Sequence, residues 1–198
     1  MENRKRIVVA VTGASGSVYA ERLILALLKL DFEIHLVFSE AGKLVFFEER
    51  ELKISGDLDE LFKNHFKVTS GKIISYLVKD IGASIASGSF KTFGMVVVPC
   101  TMKTLAGIAN GVSSNLIERA ADVTLKERRR LILVPRETPF SRIHLKNMLA
   151  CSEAGADIVP PNPGFYYKPT TINEIADFIV ARILNLLGID NSLLKEWS

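Results

Sequence analysis

An arginine and a glutamate directly follow an apolar run in the second half of this chain. Residues 131–134, Leu-Ile-Leu-Val, are typical of a strand that is buried on both faces. Pro135 and Pro139 end its hydrogen bonding because proline has no backbone N–H. Arg136 and Glu137 therefore lie at the carboxyl end of a strand, the edge where open parallel sheets bind ligands. A fixed cation beside a proton-transfer group predicts half of an active site.

Three other predicted strands end in residues that suit an anion. Residues 12–17, Thr-Gly-Ala-Ser-Gly-Ser, and residues 99–104, Pro-Cys-Thr-Met-Lys-Thr, each open into a helix, and Ser39 ends a strand between them. The free amides and partial positive charge of a helix N-terminus bind anions. The GxxG spacing of the first turn matches neither the dinucleotide motif nor the P-loop, so an ordinary hydroxyl-capped turn is the alternative. Three such turns on one rim beside Arg136 favour a phosphorylated cofactor.

Further candidates lie outside these turns. Arg119 and Lys126 are seven residues apart on a predicted helix and therefore share a face that could hold a second anion. A solvated basic face is the alternative, because three arginines follow at 128–130. Residues 162–169 form an aromatic, proline-rich loop containing Tyr166, and Arg182 lies on the helix beyond it. The tyrosines of that loop are functional only if it folds over the ligand-binding edge.

The histidines and cysteines do not form a metal or redox motif. His35, His65 and His144 show no HxxxH pairing, and the two cysteines are far apart without a CxxC spacing. We therefore expect no metal site and no disulfide framework. Cys100 follows a strand, but no histidine is placed by the sequence to activate it, which predicts a small core residue.

Bulk properties limit the class of protein. A chain of 198 residues suits one domain, and a formal charge of +3 is too slight to indicate a nucleic-acid partner. The apolar run at residues 7–11 is too short for a signal peptide, and no run approaches the roughly 18 apolar residues of a membrane span. We therefore expect a soluble, cytoplasmic protein with no membrane association.

Apolar runs and amphipathic segments alternate along the chain, which predicts a single-domain, doubly wound parallel sheet with helices on both faces, a three-layer α/β sandwich. The predicted strands are residues 7–11, 33–38, 94–98 and 131–134, with a fifth beginning at 157–159. The predicted helices are residues 17–30, 40–49, 102–109, about 114–129 with Ser113 or Ser114 as its cap, 142–154 and 171–187. Residues 50–92 fit this alternation less well. Within them, residues 69–76 and 79–85 are compatible with a helix, a hairpin or both.

Four motifs together resemble the flavin prenyltransferases, the UbiX-like family. They are Gly13-Ala14-Ser15-Gly16, residues 99–104, residues 135–139 and Pro163-Gly164-Phe165-Tyr166, and the resemblance covers residues 7–189 in the same order. It implies a flavodoxin-like, Rossmann-like FMN-binding flavoprotein domain over residues 1–198. It also implies that a dimethylallyl group passes from dimethylallyl monophosphate to reduced FMN, at N5 and then by ring closure at C6. The prenylated FMN would serve a UbiD-like decarboxylase, and the enzyme would be a metal-independent dodecamer of trimers.

The same resemblance assigns roles to individual positions. Flavin contacts are implied at Gly13, Ala14, Ser15, Ser39, Thr101, Met102, Lys103, Thr104 and Arg136. Prenyl phosphate contacts are implied at Tyr166 and Arg182, with Arg119 and Lys126 contributed across a subunit boundary. Ser15 and Glu137 match positions implicated in proton handling and phosphate departure, and a further acid is expected at Glu48 or Glu49. The cationic side chains would stabilise the charge that develops on the leaving phosphate.

Two other functions compete with prenyl transfer. An FMN-dependent cysteine decarboxylase of the phosphopantothenoylcysteine type requires a histidine on the first helix and an asparagine-bearing motif after the third strand. Residues 17–30 contain no histidine, and residues 101–103 occupy the later position. A non-catalytic FMN-binding module is the second alternative. A separate basic cluster for a second phosphate argues against it, because storage of FMN needs only one phosphate site.

Overall fold

Six parallel strands form the centre of the molecule, in the order β3-β2-β1-β4-β5-β6. The computed structural model describes residues 4–194. Its strands are β1 (Arg6–Val11), β2 (Glu33–Phe38), β3 (Lys72–Leu77), β4 (Gly94–Cys100), β5 (Arg130–Pro135) and β6 (Ala156–Ile158). Its helices are α1 (Ser17–Lys29), α2 (Glu40–Arg50), α3 (Leu58–Phe66), α4 (Met102–Ala109), α5 (Leu116–Lys126), α6 (Arg142–Glu153) and α7 (Ile172–Leu187), with short 3-10 turns at Ser84–Ala86 and Phe165–Tyr167. The predicted single-domain, three-layer α/β fold is confirmed.

Both faces of the central strands are buried, and each face has its own hydrophobic core. Successive side chains of a strand point to opposite faces, so Ile7 and Val9 belong to one core and Val8 and Ala10 to the other. Helices α1, α3 and α7 cover the first face together with Phe46 of α2. Helices α4 and α5 cover the second face. This double coverage explains why the strands read as continuous apolar runs rather than alternating ones.

The chain reverses its direction across the sheet between β1 and β4. From β1 it proceeds through β2 to β3 at one edge, and from β4 it proceeds through β5 to β6 at the other. Loops at the carboxyl ends of β1 and β4 therefore leave toward opposite sides and open a crevice between them, the usual ligand site of such folds. All four predicted strand-end motifs lie along this edge.

Residues 50–92 differ from the sequence prediction. Residues 72–77 form strand β3, which pairs in parallel with β2, so a helix or hairpin over residues 69–76 is wrong. As an edge strand β3 buries only Ile73, which left a weak apolar signal. Helix α3 was missed, although Asp57 caps its first amides and Leu58 and Phe62 are buried one turn apart. Between residues 79 and 85 the structure forms only the start of a 3-10 turn.

Several element boundaries also change. Strand β4 continues through Pro99 to Cys100, because its register against β5 shifts between Val97 and Cys100 and the proline needs no ladder hydrogen bond there. Helix α5 is capped by the side chain of Asn115, not by Ser113 or Ser114, and ends at Lys126. It stops three residues earlier than predicted, and Arg128 lies in the left-handed region with a φ of 54°.

A close approach between the first turn and α2 allows a test of this packing. A Cβ atom on Gly13 would lie 2.5 Å from Cβ of Ala41, whereas one on Gly82 would meet nothing closer than 3.7 Å. We expect Gly13→Ala to lower the free energy of unfolding by about 1–3 kcal/mol, because the overpacked loop must shift. Gly82→Ala should change it by less than about 0.5 kcal/mol. Urea denaturation measures both, and equal effects would contradict the packing described.

Candidate active site

A buried threonine joins the first and fourth strands at the edge where the crevice opens. The Thr12 hydroxyl donates to the carbonyl of Pro99 at 2.7 Å and accepts from the amide of Thr101 at 2.8 Å. Thr12 is only 2% exposed, so both bonds form away from water and are correspondingly firm. They fix the turn after β1 relative to the turn after β4, and these turns carry two of the four predicted motifs.

The arginine and glutamate that follow β5 reach the same place. The Arg136 guanidinium donates from Nε to the carbonyl of Ser15 at 3.0 Å, and the Arg136 amide donates to the carbonyl of Cys100 at 3.2 Å. The residue thus touches the turns after β1 and β4 at once. Glu137 follows it into the cavity described below. The expected convergence of Ser15, Arg136 and Glu137 is present in the structure.

The anion at the N-terminus of α1 is a carboxylate of the chain itself. Gly16 caps this helix with a φ of 113° and provides no side-chain cap. Glu49 fills that role from the last turn of α2, accepting from the amide of Ser17 at 2.7 Å and from the amide of Gly16 at 3.0 and 3.1 Å. Of the two candidates for the further acid, Glu49 is therefore the one that reaches the site, while Glu48 does not line the cavity described below.

These hydrogen bonds keep Glu49 ionised. Burial opposes the charged form, but the nearby Ser15 hydroxyl and the hydrogen bonds from the amides of Ser17 and Gly16 outweigh it. The pKa of the Glu49 carboxyl consequently lies below its ordinary value. The positive end of the α1 dipole acts in the same direction.

A cavity of about 520 Å³ opens beside this carboxylate. Its walls combine ionisable and hydroxyl groups with apolar ones, an arrangement suited to an amphipathic ligand. It is lined by Ser15, Gly16, Val18, Tyr19, Glu49, Arg50, Pro135, Arg136, Glu137, Thr138, Phe140, Pro160, Pro161, Asn162 and Ile172. Contributions come from α1, the end of α2, the loops after β5 and β6 and the first residue of α7.

The remaining predicted flavin contacts surround two further helix starts at the same edge. The Ser39 oxygen caps α2 by accepting from the amide of Gly42 at 2.9 Å. The Thr101 oxygen caps α4 by accepting from the amide of Thr104 at 3.2 Å. Met102 is buried beneath the turn and Lys103 is exposed. Gly13 and Ala14 lie on the loop between β1 and α1, beside these caps.

The predicted phosphate contacts do not converge within one chain. Arg119 pairs with Asp122 at 2.8 Å and Lys126 with Glu127 at 2.6 Å, and neither cation lines the cavity. Arg182 is exposed on α7, and the Tyr166 ring packs against Phe178 with 6.0 Å between centroids. The four residues therefore lie outside the cavity wall of a single chain.

No cluster of histidine, cysteine and acidic residues able to hold a metal ion occurs between residues 4 and 194. In the same stretch no helix is both long and apolar enough to cross a membrane. Cys100 is fully buried, and burial raises the pKa of its thiol well above the ordinary value, which suits a core residue rather than a nucleophile.

Comparison with known proteins identifies the family. A flavoprotein family model matches residues 1–184. The flavin prenyltransferase UbiX of Methanocaldococcus jannaschii is 48% identical over 192 residues, covering 97% of this chain and 98% of the relative. The chain belongs to the UbiX flavin prenyltransferase family. The UbiX protein of Halalkalibacterium halodurans is 46% identical over 189 residues, covering 96% of this chain and 91% of its own length.

Solved structures of UbiX-type proteins share the whole fold. AnUbiX (PadA1), in complex with FMN and dimethylallyl pyrophosphate, superposes with a TM-score of 0.87 at 41% identity, covering 99% of this chain and 98% of its own. A dodecameric FMN-dependent UbiX-like decarboxylase from Escherichia coli O157:H7 gives a TM-score of 0.85 at 41% identity, covering 98% of this chain and 99% of its own. The peptidyl-cysteine decarboxylase EpiD, at 19% identity and a TM-score of 0.60, shares the fold alone.

Sequence reasoning missed several residues that line the cavity of this UbiX-family chain. Tyr19 and Arg50 lie on helices α1 and α2, and Phe140 lies in the loop after β5. A signal was present for Phe140, which follows the proline-flanked motif directly. The sequence holds no signal that would place Tyr19 and Arg50 in the cavity wall, because the packing angle between α1 and α2 decides which of their residues meet.

The capping role of Glu49 predicts a pH-dependent contribution to stability. The folded-state pKa of this carboxyl is depressed, so its stabilisation is present above the ordinary carboxyl pKa of about 4.3 and is lost as the pH falls through the lower folded-state value. Glu49→Gln should lower the free energy of unfolding at pH 7 by about 1 kcal/mol. The difference from the wild type should shrink as the pH falls below about 4.3. Urea denaturation across this range measures it.

Glu48→Gln is the matched control, because it changes the neighbouring, exposed carboxylate of the same helix turn. Its effect should stay within about 0.5 kcal/mol. A pH-independent loss in Glu49→Gln would contradict the capping role.

Proposed function

We propose that the protein is a flavin prenyltransferase that attaches a dimethylallyl group to reduced FMN, within one FMN-binding domain spanning residues 1–198. The observation that carries this proposal is the joining of Ser15, Glu49, Arg136 and Glu137 around one cavity at the reversal point of the sheet. Further support comes from the full-length UbiX relatives and from AnUbiX, which was solved with FMN and dimethylallyl pyrophosphate.

The donor set at the sheet edge fits a flavin phosphate. Helices α2 and α4 begin at the same edge of the sheet as the cavity, with the Ser39 and Thr101 hydroxyls at their starts, although neither residue lines the cavity itself. The Ser39 hydroxyl, which accepts from a backbone amide, can still donate its own hydrogen to a phosphate oxygen. The Thr101 hydroxyl donates to the Thr104 hydroxyl at 3.0 Å, so Thr104 is the free hydroxyl donor at the start of α4. The start of α1 already holds the Glu49 carboxylate, so it is unsuited to a second anion. We therefore assign the flavin phosphate to the α2 and α4 side, with Thr104, Lys103 and the turn at Gly13 and Ala14 completing its site.

The reacting end of the flavin then belongs beside Ser15 and Glu137. Bound reduced flavin supplies the electron-rich N5 and ring C6 to which the five-carbon group is attached. Arg136, fixed by its bond to the Ser15 carbonyl, orients the ring system from the β5 side. Glu137 accepts or returns the proton that ring closure releases, and the ionised Glu49 carboxylate beside Ser15 is a second proton acceptor. Phe140, Pro161 and Ile172 keep water away from the electrophilic carbon.

The two arginines that line the cavity are already engaged, Arg136 with the Ser15 carbonyl and Arg50 with Glu21, so the leaving phosphate needs further partners. We assign the contacts to that phosphate to Arg182 and Tyr166 of one subunit and to Arg119 and Lys126 of a neighbouring subunit. Helix α6 supports association, because it buries only Cys151 and exposes Ile143, Leu145 and Leu149 by 52–70%. The assembly we propose is a dodecamer built from trimers, with the same number of subunits as the dodecameric relative.

The chemistry of the product suggests its destination. A flavin that has gained a fourth ring must pass to a second enzyme that uses it as a cofactor. We propose a UbiD-like decarboxylase as this recipient. For the prenyl donor we propose dimethylallyl monophosphate, and the test below compares it with the diphosphate.

Anaerobic incubation with reduced FMN and dimethylallyl monophosphate tests the proposal directly. Mass spectrometry should show the flavin gaining one C5H8 unit, and a parallel reaction with the diphosphate should show which donor is faster. Recovery of unmodified flavin with both donors would overturn the proposed function.

The matched variants in the same assay are Glu137→Gln and Glu153→Gln. Glu137→Gln should slow product formation by roughly 100-fold or more, because proton transfer is lost, while FMN stays bound. Glu153→Gln changes an exposed carboxylate at the end of α6 and should react at the wild-type rate. Loss of FMN binding in Glu137→Gln would instead indicate a structural role.

A subunit-mixing experiment tests the shared phosphate site. Arg119→Ala and Arg182→Ala should each lose roughly 100-fold in rate when assembled alone. The two variants are co-expressed with different tags and purified as mixed oligomers. A site is then complete where a subunit that keeps Arg182 meets a neighbour that keeps Arg119, so about a quarter of the wild-type sites should be recovered. No recovery in mixed oligomers would place both residues in the same subunit's site or in none.

A further inference from the structure

A buried carboxylate ties together three helices beside the cavity. Glu21 of α1 is 4% exposed. Its Oε1 lies 2.7 Å from Nε2 of His65 on α3, and its Oε2 lies 2.5 Å from Nε of Arg50, the last residue of α2. The Oε2–Nε contact is an ion pair without hydrogen-bond alignment, since neither atom has a hydrogen-bond partner among residues 4–194. None of the functions described so far uses this cluster.

The carboxylate is not explained by the packing of α1. The neighbouring positions Ala20, Leu23 and Ile24 are fully buried in the core. A buried ion pair stabilises a fold little more than well-packed apolar residues of the same size would, and removal of one partner leaves an uncompensated charge. What a charged pair adds at such a place is a fixed geometry between the elements that carry it.

That geometry concerns the end of α2. Helix α2 buries only Gly42 and Phe46, so its last turn beyond Phe46 lacks an apolar anchor of its own. Two polar contacts attach that turn to α1: Glu49 at the Ser17 amide and Arg50 at Glu21. Residues 17 and 21 are about one helical turn apart. The last two residues of α2 thus contact two successive turns of α1.

We propose that Glu21 and Arg50, with His65 as the second partner of Glu21, are positioning residues that hold the Glu49 carboxylate against the start of α1 within the cavity. The effect on catalysis rests on the proposed prenyl transfer, whereas the effect on the helix start does not. Without the ion pair the last turn of α2 frays, and Glu49 leaves the Gly16 and Ser17 amides for part of the time.

Hydrogen exchange at the start of α1 gives a readout that requires no activity. In the wild-type protein the Glu49 carboxylate protects the Gly16 and Ser17 amides. In Arg50→Gln and in Glu21→Gln the segment 13–19 should exchange on the order of tenfold faster. The segment 94–100 of β4 should keep wild-type protection, which shows that the fold is intact. Arg50→Lys should recover part of the protection, because it restores the charge.

The double variant Glu21→Gln/Arg50→Gln removes both charges of the Glu21–Arg50 pair. If Glu21 and Arg50 position Glu49 as one unit, amide hydrogen exchange at segment 13–19 in the double variant should be no faster than in the faster of the two single variants. Lys43→Gln is the control on the same helix. It removes the exposed pair with Glu40, which contacts no part of α1, and should leave exchange and rate unchanged.

The transfer rate gives the second readout. In the active enzyme kcat should fall on the order of tenfold in Arg50→Gln, with KM changed less than twofold, because Glu49 is displaced while the substrates still bind. The acid limb of the kcat profile should move to higher pH, since Glu49 loses hydrogen bonds that lower its pKa. The ionisable groups that line the cavity with Glu49 are Tyr19 of α1, Arg50 of α2, and Arg136 and Glu137 of the loop after β5.

The outcomes separate the two proposals. Wild-type protection of segment 13–19 in both single variants would overturn the positioning role, whatever the activity. Faster exchange together with no prenylated flavin from the wild-type enzyme would support positioning and overturn the proposed function. Faster exchange with an unchanged kcat and acid limb would also overturn the positioning of Glu49 for catalysis.

Discussion

The bonds of the Thr12 hydroxyl are the constraint on which the site depends. They fall where the chain reverses its direction across the sheet, between neighbouring strands whose loops leave to opposite sides. A parallel pair is held by its ladder only up to the last residue of each strand, so loops beyond it are free to splay. Thr12 extends the connection beyond the ladder and keeps the turns after β1 and β4 in fixed relation. Arg136 then adds the loop after β5 through its contacts to both turns.

The electrostatics of the site follow from an anion supplied by the protein. A helix start with a partial positive charge normally attracts whatever anion is at hand. Because Glu49 is already there, α1 holds an acceptor group in place and its first amides are occupied. Arg136 and Glu137 face the same cavity, so the charges that line it are mixed rather than uniformly positive.

The strand ends could be predicted from the sequence because their signals are local. An apolar run followed by proline, glycine or hydroxyl residues specifies both a strand and where it stops, which is how Ser15, Arg136 and Glu137 were placed together. Strand β3 could not be found in this way, since it lies at the edge of the sheet and buries only Ile73. The choice between Glu48 and Glu49 was equally out of reach. Successive helix residues point about 100° apart, and only the angle of α2 against α1 decides which carboxylate faces the cavity.

Neighbouring subunits pose the same difficulty on a larger scale. Arg119 and Lys126 share a helix face in the sequence, yet in a single chain each is paired with a carboxylate on or directly beyond its own helix. No pattern within one chain records which surface of a second copy they would meet. The family resemblance placed them at a boundary, whereas spacing alone favoured a solvated basic face.

Both hydrophobic cores lie beneath the cavity, and almost none of their side chains belong to its wall. The fully buried strand residues hold the sheet, whereas Thr138, Phe140, Asn162 and Ile172 lie on loops or at a helix start. Substitutions at such positions cost little folding free energy, because few buried contacts are lost. Substitutions in these residues can therefore change what the cavity admits while the sheet and its two cores stay as they are. The positions that tolerate substitution at little cost to folding are thus concentrated around the cavity at the carboxyl edge of the sheet.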